Sequence, residues 1–207
     1  ARAVTVDVLD VGQGLSTVVR TAAHTLVFDA GPAYRSGFDA GAMIVAPFLS
    51  HLGIRRIDAL MISHGDMDHI GGAAALTKRF PIGRRLGAES ARPCRAGTAW
   101  RWDGVSFHVL APAPGGSVDD DNDASCVLRG SASGRSVMLT GDIERDAERA
   151  LVAAWPKETL ASDVLVVPHH GSATSSSGVL LDAVAPRAAV ISSGWHNRWG
   201  FPRPGVM

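Results

Sequence analysis

The stretch SHGDMDHIGG, residues 63–72, places His64, Asp66, Asp68 and His69 within six consecutive positions, directly after the apolar run IDALMI. Two imidazoles and two carboxylates are donor types that bind divalent metals, and a bent turn after a strand lets side chains at these spacings converge. Alone, the same residues also read as a polar strand-to-helix loop in which Asp68 is a cap. Two further stretches repeat the arrangement. VMLTGD (137–142) carries an apolar strand onto Asp142, and VLVVPHHGS (164–172) carries another onto His169 and His170. Asp142 by itself could cap a following helix, and one of the paired histidines could be structural. Three apolar strands that each end on metal-ligand residues argue instead for one shared centre at a sheet edge, where α/β proteins assemble their sites.

The elements that must hold these residues are legible as alternating patterns. VTVDVLDV (4–11), STVVR and HTLVFDAG predict short N-terminal strands, with GQG as a turn. Residues 39–52 predict a helix closed by Gly53, IDALMIS a buried strand, and GGAAALTKRF a helix stopped by Pro81. The Gly-, Arg- and Pro-rich segment 81–104 has no clear period. VSFHVLAP, SCVLRG, SVMLTGD, DVLVVP and RAAVISSG predict further strands, IERDAERALVAAW and SSGVLLDAV helices, and 111–123 a polar loop. Strands first, then strands alternating with helices, point to sheets covered by helices in layers.

Composition narrows the class. A chain of 207 residues with 46% hydrophobic side chains can bury the core of one α/β domain. Twenty basic and twenty acidic side chains leave no net field to draw the protein onto a polyanion, so nucleic-acid contact must come from a local patch. All basic residues but Lys78 and Lys157 are arginine, which suits bidentate phosphate contacts and equally suits an Arg-rich genome. Cys94 and Cys126 lack C-x-x-C spacing and indicate neither a zinc ribbon nor a disulfide framework, while a single bridge between them stays open. AGAMIVAPFL (40–49) is too short to span a bilayer, which takes about twenty residues. The start ARAVTV and the stop at GVM lead us to expect a single domain, 1–207, excised from a longer protein.

SHGDMDHIGG, LTGD and PHHGS, in this order after LDVGQG and FDAG, resemble the metallo-β-lactamase fold. Together with HHGS-x-TSS and NRWGFPRP (197–204), they resemble the C-terminal domain of ComEC-type DNA-uptake competence proteins, over residues 4–204. The resemblance implies an αββα sandwich, two mixed sheets flanked by helices, with the site at one edge. It implies two divalent ions: His64 and Asp66 on one, Asp68, His69 and His169 on the other, and Asp142 between them. The superfamily's additional histidine on the first ion has no counterpart in NDASCVL, where Asn122 or water would have to substitute. A carboxylate-rich set favours harder ions, so Mn²⁺ is expected ahead of Zn²⁺ or Mg²⁺.

Two cations about 3.5–4 Å apart can activate a water and stabilise charge at phosphorus, which suits phosphodiester hydrolysis. Asp68, Asp142 and His170 are the expected catalytic residues, His170 assisting the leaving group or orienting His169. Ser172, Thr174 and Ser175, beside Gly171, could hold phosphate oxygens at a helix start, or simply cap it. Arg198 and Arg203, interleaved with Trp195 and Trp199, could grip and stack on a strand, or form a solvated tail. Leu15 and Phe201 stand where relatives often carry Asp and His.

The resemblance thus implies a deoxyribonuclease that degrades one strand during natural transformation. Its expected partners are DNA, as single strand or linear duplex, the membrane channel of the same polypeptide, and other competence uptake proteins. The expected location is a bacterial inner-membrane protein with this domain on the periplasmic or extracellular side. The alternatives are another hydrolase on the same scaffold, acting on a lactone, thioester, β-lactam or cyclic nucleotide, and a catalytically weak DNA-binding module.

Overall fold

A computed structural model describes residues 4–113 and 122–207. Within them the chain forms two compact units, one from Ala1–Pro93 with Ser192–Asn197, the other from Cys94–Ile191 with Arg198–Met207. Where length led us to expect a single domain, the chain forms two compact units, each with its own sheet and core. Most of the 111–123 loop lies outside the described residues.

The first unit holds β1 (Thr5–Val8), β2 (Thr17–Arg20), β3 (Thr25–Phe28), β4 (Ile57–Ile62) and β5 (Ile82–Gly87), ordered β1-β2-β3-β4-β5. The first three strands run antiparallel, and β3, β4 and β5 run parallel, which makes the sheet mixed. One face packs Val18, Val27, Leu60 and Ile62 against Val45, Leu49 and Leu76 from the helices. Leu26, Phe28, Ala59 and Met61 alternate with these residues and are buried as well, so both faces are apolar, as in a layered α/β fold.

The helix expected over 39–52 begins as a wider π-helical turn, Gly41–Val45, and continues as α1 (Ala46–His51). The cause is a close approach. A Cβ on Gly41 would lie 2.1 Å from the Gly72 carbonyl oxygen, and one on Gly72 would lie 2.5 Å from the Gly41 nitrogen. Two glycines let this turn press directly on the start of α3 (Ala73–Arg79), which follows the short α2 (Met67–Ile70).

The second unit holds β6 (Ala99–Trp102), β7 (Val105–Ala111), β8 (Val127–Ala132), β9 (Arg135–Leu139), β10 (Val164–Val166) and β11 (Ala188–Val190). They are ordered β11-β10-β9-β8-β7-β6, with β9, β10 and β11 parallel and the rest antiparallel. Val127, Met138 and Leu165 pack with Leu151 of α4 (Arg145–Ala154), Leu160 of α5 (Lys157–Leu160) and Leu180 of α6 (Gly178–Val184). Cys94 and Cys126 form a disulfide, closing the alternative that the sequence left open. Among the described residues, no helix is long and apolar enough to cross a membrane.

Candidate metal-binding groups

Strand β4 delivers the first group. Its buried run ends at Ile62, and Ser63, His64 and the α2 turn follow immediately. The GQG loop braces this turn from the side: Leu15 donates its N–H to the Asp68 carbonyl, and a Cβ on Gly14 would lie 2.3 Å from that oxygen. His64 and His69 are both buried, with ring centroids 4.2 Å apart. Their Nδ1 atoms are tied back into the protein. Asp29 Oδ2 lies 2.8 Å from His69 Nδ1, and Ser63 Oγ lies 3.0 Å from His64 Nδ1. Asp29 also accepts from the Ser63 N–H and hydroxyl, at 2.7 and 2.8 Å. A ring held by Nδ1 presents Nε2, and a carboxylate on Nδ1–H raises the basicity of that nitrogen as a ligand. Asp66 Oδ2 stands 3.6 Å from His64 Nε2 with its side chain 56% exposed. An Asp68 carboxylate oxygen lies within 4.8 Å of a His69 ring nitrogen.

The second group hangs on the ends of β9 and β10. Asp142 is buried, its N–H donating to Ser125 Oγ at 3.1 Å. It does not cap α4, which begins after Glu144. After β10 the chain turns through Pro168–Gly171 with three successive left-handed residues, His169 (φ 47°), His170 (φ 53°) and Gly171 (φ 81°). Left-handed backbone is unfavourable for residues with a Cβ and collects at functional sites, where it aims side chains. Here it swings both imidazoles toward Asp142. His170 Nε2 lies 3.3 Å from Asp142 Oδ2 and the residue is buried. His169 Nε2 lies 4.0 Å away, with its Nδ1 2.8 Å from Glu144 Oε1 and its side chain 20% exposed.

The fold thus gathers His64, Asp66, Asp68 and His69 in one unit and Asp142, His169 and His170 in the other. Within the second unit His170, expected to assist the leaving group, is the histidine nearest the buried carboxylate, and His169, expected as the ligand, is the outer one. The phosphate candidates do not sit at a helix start. Ser177 caps α6, accepting from the Leu180 N–H, and Ser172–Ser175 form a turn before it. Ser172 Oγ and Thr174 Oγ1 are 2.8 Å apart, and Thr174 donates to Glu144. Ser175 is buried, its hydroxyl donating to the Pro168 carbonyl at 2.9 Å. Arg198 lies over the Trp199 ring. Asn122, the substitute considered for the absent histidine, accepts the Ser125 N–H through its backbone carbonyl. Asp29, Ser63 and Glu144 escaped the sequence reading. The available signal was FDAG, where another buried strand ends on an acid.

The model of the metallo-β-lactamase superfamily matches residues 9–195. The chain belongs to this superfamily. Competence protein ComA of Neisseria gonorrhoeae is 44% identical over 98% of the chain and 29% of its own length. Recombination protein 2 of Haemophilus influenzae is 40% identical over 98% of the chain and 26% of its own length. The chain therefore spans between a quarter and a third of these relatives, among which is the competence-protein name that the motifs led us to expect. A metallo-β-lactamase with a HARLDQ motif from Cronobacter sakazakii shares the fold, with TM-score 0.59 at 16% identity over 83% of each chain. The metallo-β-lactamase fold, with two mixed sheets flanked by helices, is thus the fold of this chain. It implies divalent metal, and the donors fit: anchored imidazoles and carboxylates lie a few ångströms apart within each unit.

Proposed function

We propose that this superfamily member is the nuclease domain of a competence-type DNA-uptake protein, hydrolysing phosphodiester bonds of one DNA strand as the other is taken in. The observation that carries the reading is the left-handed turn at His169–His170, which spends backbone strain to bring imidazoles to a buried aspartate. Strain of this kind persists only where the surrounding structure enforces it, and cleaving a phosphodiester is a use for it. The likeness to proteins named for competence and recombination supports DNA as the substrate.

His64, Asp66, Asp68 and His69 of the first unit, and Asp142 and His170 of the second, are the residues that would hold divalent metal. Bound there, divalent metal would supply Lewis acidity, a nucleophile at neutral pH and positive charge toward phosphate. Three carboxylates among the donors favour Mn²⁺, with Mg²⁺ and Zn²⁺ as competitors. Asp29 and Ser63 hold the first pair of rings in one tautomer. His169, beside Glu144 and partly exposed, would pass a proton to the departing oxygen. Ser172 and Thr174 flank it as contacts for a phosphate oxygen; Ser175 supports the turn.

The disulfide supports an oxidising compartment, hence a domain on the periplasmic or extracellular side of an inner-membrane parent. In that setting its partners are the membrane channel of the same polypeptide and other uptake proteins. The test is to strip the metal, add Mn²⁺, Mg²⁺ or Zn²⁺ singly, and follow end-labelled linear DNA beside Asp142→Ala. Cleavage that needs the ion and is lost in the variant is expected. Binding without cleavage under every ion would leave a DNA-binding module, and turnover confined to lactones, thioesters or β-lactams would move the assignment to another hydrolase.

A further inference from the structure

The segment after residue 197 is seated on the histidine turn of the second unit. Arg203 donates its N–H to the Gly171 carbonyl at 2.9 Å. A Cβ on Gly171 would lie 2.7 Å from Pro202, so only glycine lets the segment approach this closely. The contact places the Phe201 ring edge-on to His169, with centroids 5.6 Å apart. Trp199 lies nearly parallel to Phe201, at 16° and 6.4 Å between centroids, and is 39% exposed. Arg198 covers the Trp199 ring, its Cζ 4.2 Å from the centroid, and Arg203 stands 5.9 Å from the Phe201 centroid. Both arginines are exposed, and neither enters an ion pair among the described residues.

Two near-parallel rings bordered by two exposed guanidinium groups have the composition that recognises nucleic acid without reading its sequence. Aromatic faces take bases, and cations take the phosphates between them. We propose that Arg198, Trp199, Phe201 and Arg203 form a platform that stacks the bases of an unpaired DNA strand and so sets the adjoining phosphodiester beside His169. The proposal rests on the nuclease reading for its substrate and deepens it. Because a duplex keeps its bases stacked on one another, the platform selects single strands or frayed ends. Phe201, which cannot bind metal or move a proton, acts here through its face.

The test is equilibrium binding of the intact chain to labelled phosphorothioate oligonucleotides, which resist cleavage: oligo(dT), an abasic strand of equal length, and a blunt duplex. Oligo(dT) is expected to bind most tightly. Trp199→Ala should weaken oligo(dT) binding about 5- to 150-fold, the range for loss of one base–aromatic stack, and leave the abasic strand unchanged. Trp199→Tyr should restore it, and Arg198→Ala should weaken both strands. Equal affinity for oligo(dT) and the abasic strand, tighter binding of the duplex, or a Trp199→Ala effect shared by the abasic strand would overturn the platform. Because no bond is broken, base-dependent binding in a chain that cleaves nothing would remove the nuclease reading and leave the platform. Cleavage with base-independent binding would do the reverse.

Discussion

Asp29 occupies left-handed backbone at φ 58°, a conformation Asp and Asn tolerate better than most residues, and from there its carboxylate reaches both His69 and Ser63. Asp29→Asn keeps the backbone preference and removes the charge on His69. It should lower metal affinity about 10- to 100-fold, the range for losing such an outer carboxylate, measured by competition with a chelator. The paired histidines separate in the same way. His170→Ala should lose bound metal, whereas His169→Ala should keep it and lower kcat by about 10²-fold or more, as loss of a proton donor does. Metal loss in His169→Ala instead would return the ligand role to that residue. The candidate donors were legible because each closes an apolar strand. The order within the His pair was not, because it depends on the backbone of residues 169–171, and Asp29 was missed because its partner lies 40 positions away.

At the scale of elements, Glu148 shows what supports the histidine turn. It is fully buried on α4 and accepts from the N–H groups of Ser176 at 2.5 Å and Ser177 at 2.8 Å. The loop from His170 to α6 is thereby pinned to the helix. Glu148→Ala leaves two partly buried donors without their acceptor and should cost about 3 kcal/mol of unfolding free energy in urea titration, since hydrogen bonds to charged groups contribute about 1.5–3 kcal/mol each. Strands buried on both faces, such as β3 and β4, were readable as nearly unbroken apolar runs. Segment 81–104 resisted because β5 and β6 are the edge strands of their sheets, each paired on one side only. Edges carry charge to discourage further pairing, and Arg84, Arg85 and Arg101 lie on them. The π-helical turn at Gly41 was equally hidden, because its cause is a contact with Gly72 rather than anything in its own period.

For the whole molecule, zero net charge means that the proposed attraction to DNA would have to be generated locally, by metal and by the arginines of the aromatic segment. The Cys94–Cys126 bridge joins residues 32 apart and links the start of the second unit to the entrance of β8. Reducing it should lower stability by about 2–4 kcal/mol, read as a fall in Tm on adding a thiol reductant and absent in a Cys94→Ser, Cys126→Ser variant. Family and fold were legible from motif order because each motif sits where a strand meets a loop; the bridge was not, because two cysteines carry no spacing signal. The central claim of the proposed function is that the strand-end imidazoles and carboxylates hold a pair of divalent ions. Native mass spectrometry of the intact chain, reloaded with Mn²⁺, tests it most directly. Two ions per chain, falling to one or none in both His69→Ala and Asp142→Ala, is the predicted result; a chain that retains no ion, or whose ion count is unchanged by Asp142→Ala, would contradict it.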